Sequence, residues 1–550
     1  MMADGASSTP GGDAGATSRG VFGRRQRMGA AALLLACSAV LSRLMGLVRD
    51  KVISWQFGAG AESDLYFAAF VVPDVIGYLL AGGFMSITII PLLAERFRED
   101  EEDAWRFFSC VFTWMATLSL LFTLVCILCA DRLAVVTAPG FSPQQQERLA
   151  FFMRVVLPAQ VFFLSGACFT AILYLRRQFA VPAVAPLLYN GGIIACGVLL
   201  PMIGLVQGMT GYCIGVTLGA GLGAFILPMT VAARGGLHLR PRWSHPLLGK
   251  FFKTALPLML GQTVIMLDEQ FLRIFGSLAG EGTVSLLNYA RRIAQAPVGL
   301  VGQAAAAASY PFLVGLLAAK ERERFIETLA LALKTTVSFI VPCAMCMTAL
   351  SLPLVSLIFQ GGRFGPADTI ATVPLTCLLL APTPFWVAYM VLVRGYYAQG
   401  DTVTPAVAGT VMTLVTLPCY ALAVRYGGWA IALVSATSVP CYVLWLMGIW
   451  RRRQGGGAFK GLGTLVLRSV GCSLPGGVAS WWVSEWLRAN LGLSALPLSC
   501  VCLVVGSVAF AVCFLPMILV FEPHMKGVLL QGLGRFGRRW RQEPADGGGS

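Results

Sequence analysis

Apolar stretches long enough to cross a lipid bilayer recur along the chain and constrain its fold more than any other feature. A helix needs about 20 predominantly apolar residues to span the hydrocarbon core, and such runs follow one another from Leu33 to Phe521. Charged residues make up 12% of the 550 residues, about half the share usual in soluble domains. A soluble core cannot bury this much apolar surface. The sequence therefore predicts an all-α polytopic membrane protein.

Boundaries between apolar and polar segments predict about fourteen transmembrane helices. Several predicted spans exceed the minimum crossing length, which indicates tilted helices or helix ends that extend beyond the bilayer. The predicted spans are residues 30–56, 64–95, 104–130, 148–178, 182–206, 208–232, 247–276, 282–316, 323–359, 368–398, 403–424, 427–450, 460–488 and 494–521.

The basic residues predict the orientation of the chain. Most arginines fall in every second loop, for example at Arg96, Arg176 and Arg451, while the alternate loops hold few. Because cytoplasmic loops are enriched in Lys and Arg, both termini are expected in the cytoplasm. The expected division of the chain is a disordered cytoplasmic tail at 1–27, an N-terminal lobe of six helices at 28–232, a C-terminal lobe of six at 233–450, a final helix pair at 451–521 and a basic cytoplasmic tail at 522–550.

Six charged residues in or beside predicted helices are the candidate functional groups. A charge at the centre of a membrane helix costs roughly 2.5–3.5 kcal/mol, so exposing four of them to lipid would cost on the order of 10 kcal/mol. They must pair with one another, reach the interface or line a water-filled cavity. Arginines outnumber acids among them, which favours a cationic cavity that holds a phosphate over structural pairing alone. The six are Arg43, Arg49, Asp50, Asp64, Arg291 and Arg292.

The spacing of two arginines in the first predicted helix suits a single anionic group. Arg43 and Arg49 are six residues apart, so an ideal helix places them about 120° from each other. Gly46 lies between them, where a bend costs little. A bent helix would let both side chains reach around one anion.

A second charged set, Asp268, Glu269 and Arg273, lies in the seventh predicted helix. Either acid with Arg273 is close to the i,i+4 spacing at which oppositely charged side chains meet on a helix surface. A local ion pair is therefore one interpretation. The other is that Asp268 and Glu269 form a site that couples transport to a cation or proton.

The remaining reactive residue types predict neither a cofactor nor catalysis. The 16 cysteines are scattered through apolar segments, where Cys is ordinarily a packing residue. The three histidines lie in loops, and the sequence shows no metal cluster or catalytic dyad. A transporter is therefore expected, and not an enzyme. The net charge of +15 reflects basic loops that set topology. Nucleic-acid binding is not expected, because no basic, aromatic-interleaved soluble domain is present.

Seven short motifs occur in an order and spacing that are specific together, although each is weak alone. They are Ser-Arg-Leu-Met-Gly-Leu-Val-Arg-Asp (42–50), Phe-Gly-Ala-Gly (57–60) followed by Asp64, Ala-Pro-Gly-Phe (138–141), Gln-Phe-Ala-Val-Pro-Ala-Val-Ala-Pro (178–186), Asn-Tyr-Ala-Arg-Arg (288–292), Phe-Gln-Gly-Gly-Arg-Phe (359–364) and Asp-Thr-Val-Thr-Pro (401–405). With them the chain, from about Met28 to Phe521, resembles the MurJ (MviN) family of lipid II flippases within the MOP exporter superfamily.

The resemblance implies two six-helix lobes around a central cationic cavity, with a final helix pair that makes a groove for a polyprenyl tail. It implies that lipid II moves from the cytoplasmic to the outer leaflet of the bacterial inner membrane by alternating access. Cell-wall synthesis enzymes would be natural partners. The family's cavity residues carry over onto Arg43, Arg49, Asp64 and Arg292, and Asp50 completes the first motif.

The chain departs from the family pattern at several charged positions. Gly77, Tyr78 and Gly82 stand where the family often has two bases and an acid, and Arg291 stands where an acid is common. The cavity is therefore expected to balance its charge differently, with Arg291 partly replacing a missing base. The predicted helix 403–424 carries no acid, which argues against a sodium site there of the kind that some family members have.

Two other transport functions are alternatives. A flippase for another polyprenyl-linked glycan would use the same chemistry with a different sugar pocket. A drug or cation antiporter of the same superfamily would want acids in its cavity, whereas this one is rich in arginine. An intramembrane enzyme acting on polyprenyl phosphates would need carboxylate clusters or a membrane-facing His, and the sequence offers neither.

Overall fold

The computed structural model describes residues 28–81 and 88–521 of the chain. These residues are almost entirely helical, and no strand is present among them beyond an isolated bridge between Gly361 and Phe364. The predicted all-α class is confirmed. The two predicted tails and Gly82 lie outside the described residues.

Eleven helices of the described part, here called the N-terminal helices, precede the long basic connection at 235–247. They are α1 (Met28–Phe57), α2 (Ala61–Ala68), α3 (Val71–Ala81), α4 (Ile90–Glu99), α5 (Glu101–Leu128), α6 (Ala130–Thr137), α7 (Pro143–Val156), α8 (Ala159–Leu175), α9 (Ala180–Met202), α10 (Thr210–Gly219) and α11 (Leu227–Arg234). A π-helical segment, Ala220–Ile226, joins α10 to α11.

Nine helices follow, here called the C-terminal helices, and a final pair completes the described chain. The nine are α12 (Leu248–Leu278), α13 (Thr283–Pro297), α14 (Gln303–Ala318), α15 (Arg322–Ala349), α16 (Ser351–Phe359), α17 (Pro366–Leu380), α18 (Thr383–Ala398), α19 (Val403–Ala423) and α20 (Gly428–Gln454). The final pair, α21 (Leu462–Asn490) and α22 (Ala495–Phe521), packs together and against α15 and α16.

Within the described residues, eleven helical segments are long and apolar enough to cross a membrane, and each coincides with a predicted span. The polytopic membrane class is thus confirmed. The predicted spans 30–56, 64–95 and 247–276 are not among the eleven. These three carry most of the charged residues singled out above. The count of fourteen stays a prediction.

The helix that crosses the candidate site on the C-terminal side changes its winding part-way. Pro297 ends α13, and because proline has no backbone N–H it cannot continue the i→i−4 ladder. The chain continues as a π-helical segment, Val298–Gly302, before α14 begins at Gln303. The wider turn alters the angular register of the side chains that follow, and such segments are common at functional sites.

The N-terminal and C-terminal helices meet in a buried core beside the last turn of α1, here called the sealed end. The ring of Tyr289, from α13, lies 5.4 Å from that of Phe67 in α2 and 4.7 Å from that of Phe359 in α16. Ile53 and Leu65 are fully or almost fully buried in the same core. Apolar burial therefore holds the two sets of helices together at this end.

A tight glycine turn between α16 and α17 completes the sealed end. Arg363 N donates to Trp55 O of α1 at 2.9 Å, and Lys51 Nζ donates to Gln360 O at 2.5 Å. Gly362 adopts a φ of 57°, and a Cβ there would lie 2.1 Å from Trp55 O. Glycine is needed at this position because a side chain would separate the turn from α1.

Candidate functional site

The carboxylate of Asp50 is held by two arginines from opposite sets of helices. Arg49 Nε and Nη2 donate to Asp50 Oδ1 at 2.9 and 2.8 Å. Arg292 Nε, from α13, donates to Asp50 Oδ2 at 2.5 Å. Arg49 also donates to Asn190 Oδ1 of α9 at 3.2 Å. The Asp50 side chain is 4% exposed and that of Arg292 is 38% exposed. Three of the predicted residues thus form one site between the two sets of helices, open beside Arg292.

The open space beside Arg292, between the two sets of helices, is here called the cleft, and Arg43 also lies in it. Arg43 is seven residues before Asp50 and therefore about 10 Å from it along α1. Its Nη2 donates to Gln303 Oε1 of α14 at 2.7 Å. Its guanidinium also lies against Gly299, where a Cβ would be 2.3 Å from Nη1. Arg43 and Gln303 are both exposed. The two arginines of α1 therefore contact different groups in this conformation.

Asp64 caps the N-terminus of α13 and contacts no arginine of the described residues. Its carboxylate accepts from the backbone N–H of Gly282 at 2.6 Å, from that of Ser285 at 2.7 Å and from the Ser285 hydroxyl. The residue is 1% exposed. A carboxylate at a helix N-terminus satisfies otherwise free N–H groups and interacts favourably with the helix dipole. Asp64 therefore joins α2 to α13 at the sealed end, whereas the sequence predicted it in the cavity.

Substitution of Asp64 should loosen the sealed end. Asp64→Ala leaves the backbone N–H groups of Gly282 and Ser285, at the N-terminus of α13, without an acceptor, which costs about 1–3 kcal/mol for each buried group. We expect the unfolding temperature of the purified protein to fall by several degrees. Asp64→Asn keeps one acceptor oxygen, so its unfolding temperature should fall less. Asp131→Ala, which removes an exposed carboxylate of α6, is the control. An unchanged unfolding temperature for Asp64→Ala would contradict the capping role.

A second ionic network lies between the two sets of helices. Arg273 of α12 donates from Nη1 to Asp74 Oδ2 of α3 at 2.6 Å and from Nη2 to Glu269 Oε1 at 2.7 Å. The local i,i+4 ion pair, one of the two interpretations of this charged set, is thus present for Glu269. The sequence pattern did not single out Asp74, although an acid within an apolar helix carries the same cost as those that it did.

Asp268 of α12 pairs with Arg291 of α13. Arg291 Nη1 donates to Asp268 Oδ2 at 2.8 Å, the Tyr420 hydroxyl donates to Oδ1 at 2.6 Å and the Ser435 hydroxyl donates to Oδ2 at 2.8 Å. Arg291 and Arg292, neighbours in sequence, therefore point to different partners. Both acids considered for ion coupling have an arginine partner, and their coupling role stays a prediction.

Carboxylates and arginines balance in these networks. The excess of arginine over acid inferred from the sequence shrinks because Asp74, Asp268 and Glu269 join the set. Among the described residues, Arg43 is the cleft arginine that contacts no carboxylate. The paired groups are the acids Asp50, Asp74, Asp268 and Glu269 and the bases Arg49, Arg273, Arg291 and Arg292.

One departure from the family pattern, Gly77 of α3, packs closely against α8. A Cβ at Gly77 would lie 3.3 Å from Gln160 Oε1 of α8, so a longer side chain there would need Gln160 to move. Tyr78 follows on the same helix, and Gly82 lies outside the described residues.

Within the described residues, no group of three or more His, Cys, Asp or Glu side chains could hold a metal ion.

Ion pairs between two sets of apolar helices define the class of the protein. Charged side chains are placed inside a membrane at a large cost, and here they connect two bodies that meet tightly at one end. This arrangement is that of a polytopic membrane transporter.

Comparison with known proteins gives the family. The family model "Lipid II flippase MurJ" matches residues 53–502, and the chain belongs to this family. Its relatives include the "Probable lipid II flippase MurJ" of Vibrio cholerae, 26% identical over 428 residues that cover 75% of this chain and 80% of the relative. The "Lipid II flippase MurJ" of Burkholderia cenocepacia is 26% identical over 404 residues, covering 70% and 76%.

Solved structures share the fold. A structure described as "Lipid II flippase MurJ, inward closed conformation" superposes with a TM-score of 0.73 at 20% identity, covering 90% of this chain and 99% of the other. An inward-facing multidrug resistance MATE family transporter of the MOP superfamily superposes with a TM-score of 0.61 at 18% identity, covering 78% and 98%. The family model confirms the predicted family, and these structures show that the fold is shared.

Proposed function

We propose that this protein moves lipid II, the undecaprenyl-pyrophosphate-linked peptidoglycan precursor, from the cytoplasmic to the outer leaflet of the bacterial inner membrane. The observation that carries the proposal is the clamp of Arg49 and Arg292 on one carboxylate. Guanidinium groups bind carboxylates and phosphates through the same paired hydrogen bonds. Because the two arginines come from opposite sets of helices, an anion held between them is coupled to the movement of one set against the other.

In the proposed mechanism, the pyrophosphate replaces Asp50 between the two arginines. Exchange of one anion for another keeps both guanidinium groups compensated during capture. Arg292 is the entry point because its side chain is 38% exposed, compared with 13% for Arg49. The sugar–peptide head would lie in the cleft while the polyprenyl tail stays in lipid, along a groove beside residues 451–521.

The direction of transport follows from the proposed orientation. With both termini in the cytoplasm, α1 ends at the outer face, and the sealed end is the closed outer gate. Transport would separate an N-terminal lobe, 28–232, from a C-terminal lobe, 233–450, at that gate while the inner side closes. An inside-negative potential favours outward movement of an anion by about 2.3 kcal/mol per charge per 100 mV.

A bound cation is not needed in this proposal. Asp268 and Glu269 already have the guanidinium groups of Arg291 and Arg273 as counter-ions. Because each of these pairs lies within the C-terminal helices, it need not break when the two sets of helices separate. We therefore infer that the electrical potential supplies the driving force.

Complementation tests the proposed substrate. The full chain is expressed in a bacterium depleted of its own lipid II flippase and, separately, in one that lacks its O-antigen flippase. Rescue of growth in the first strain alone is expected. Rescue of O-antigen display alone, with the protein inserted in both membranes, would assign another polyprenyl-linked glycan. Association of the chain with cell-wall synthesis enzymes stays a prediction, and copurification from the same strains would test it.

A further inference from the structure

We propose that Gln303 is a positioning residue that holds Arg43 in the cleft for the pyrophosphate without neutralising its charge. The inference rests on the proposed function and assigns a specific task to a residue of α14. Gln303 Oε1 accepts one hydrogen bond from Arg43 Nη2. A guanidinium has five N–H donors, so four remain for an anion.

The charge balance of the cleft makes this contact unusual. Arg49, Arg273, Arg291 and Arg292 each contact a carboxylate. Among the described residues, Arg43 instead contacts a neutral amide. An amide fixes the direction of the guanidinium but leaves its full positive charge available. Arg43 is therefore the cation of this cleft that an incoming anion can meet without first displacing an acid.

The local backbone brings Gln303 and Arg43 together. Gln303 is the first residue after the π-helical segment Val298–Gly302, whose wider turn sets the angle at which Gln303 leaves the helix. Gly299, within that segment, leaves the space in which the Arg43 guanidinium lies. A Cβ at Gly299 would lie 2.3 Å from Nη1 and 2.6 Å from Cζ of Arg43. A methyl group there would displace the flexible arginine, because its far end moves more easily than the helix.

The position of Arg43 also fits a ligand with two phosphates. Arg43 and Asp50 are separated by about 10 Å along α1, and Gly46 between them faces Arg292, whose Nη2 would lie 3.7 Å from a Cβ at Gly46. Arginine side chains are long enough to approach one ligand from the two ends of this distance. Arg49 and Arg292 would hold one phosphate, and Arg43, aimed by Gln303, the next.

Three substitutions test the role of Gln303 in the full chain in lipid nanodiscs, with undecaprenyl pyrophosphate as the probe and undecaprenol as the control ligand without phosphates. Gln303→Leu removes the acceptor, and Gly299→Ala displaces the guanidinium. Each should weaken binding about five- to tenfold, the scale of one lost hydrogen bond of typical strength. Gln303→Glu supplies a competing carboxylate and should weaken binding at least thirtyfold. Undecaprenol binding should not change.

The order of the variants separates positioning from a merely structural tie between α1 and α14. A tie would be strengthened by an ion pair, so Gln303→Glu would then bind at least as well as the wild type, and this result would overturn the proposal. In an Arg43→Ala background, Gln303→Leu should have no further effect. Equal losses with and without Arg43 would also overturn it.

Two reference variants separate failure of this inference from failure of the proposed function. If Arg43→Ala and Arg292→Ala both lose affinity while all variants at Gln303 and Gly299 bind normally, the inference alone is wrong. If Arg43→Ala and Arg292→Ala bind undecaprenyl pyrophosphate as tightly as the wild type, the proposed anion site is wrong and the role of Gln303 is overturned with it. Elution as a single species in detergent shows that each variant is folded.

Discussion

Replacement of Arg292 by alanine should abolish rescue of a strain depleted of its own lipid II flippase. The variant removes the hydrogen bond from Nε to Asp50 and the guanidinium through which α13 would contact the pyrophosphate. The Asp50 side chain is 4% exposed, and removing a partner of such a buried charge costs about 2–5 kcal/mol, which corresponds to at least a thirtyfold loss. We expect at least a hundredfold fewer colonies than with the wild type when the native flippase is depleted.

Two matched variants are the controls for this result. Arg292→Lys keeps the charge but loses the planar pair of donors, so rescue should be partial. Arg425→Ala removes an exposed arginine just after α19 and should rescue like the wild type. Normal growth with Arg292→Ala, expressed at wild-type levels, would show that the pairing with Asp50 is only structural.

A covalent lock across the sealed end should stop transport completely and reversibly. Ser63 of α2 and Ser285 of α13 have their hydroxyl oxygens 3.0 Å apart, and both residues are fully buried. Cysteines at these positions would be close enough to form a disulfide between opposite sets of helices. If transport needs the sealed end to open, the oxidised Ser63→Cys/Ser285→Cys protein should be inactive, and a reducing agent should restore activity.

The two single substitutions control for lost hydrogen bonds. Ser285→Cys weakens the cap on Asp64, and Ser63→Cys removes the contact between hydroxyls. Neither can form the cross-link, so both should keep activity under oxidising conditions. A gel shift after proteolytic cleavage between the two positions reports how much disulfide has formed. Full activity of a fully cross-linked protein would contradict alternating access through the sealed end.

The sequence predicts the fold and the main charged residues for one reason, the cost of placing polar groups in lipid. This cost makes apolar runs visible as helices, and each of the eleven spans seen in the described residues was predicted. The same cost singles out Arg49, Asp50 and Arg292 as groups that need partners. In the structure both arginines contact Asp50, although Arg292 is 242 residues away from it.

Other features of the site depend on contacts that carry no such signal. Asp64 was expected in the cavity, but its partners are backbone N–H groups about 220 residues away, and any residue supplies those. Gln303 is a neutral residue at the start of α14, so its position has no electrostatic signature in the sequence. Asp74 could have been recognised by its cost in the membrane, and its pairing with Arg273 shows that the arginines are more nearly balanced than a count along the sequence indicated.

Transport by the purified protein tests the central claim most directly. The full chain is reconstituted into liposomes that contain lipid II with a fluorescent head group, and a membrane-impermeant quencher reports which leaflet the head group occupies. The claim predicts that the wild type and Arg425→Ala exchange the label between leaflets and that Arg292→Ala leaves it as in liposomes without protein. Exchange by Arg292→Ala at the wild-type rate, or none by the inserted wild type, would contradict transport of lipid II through the clamp of Arg49 and Arg292.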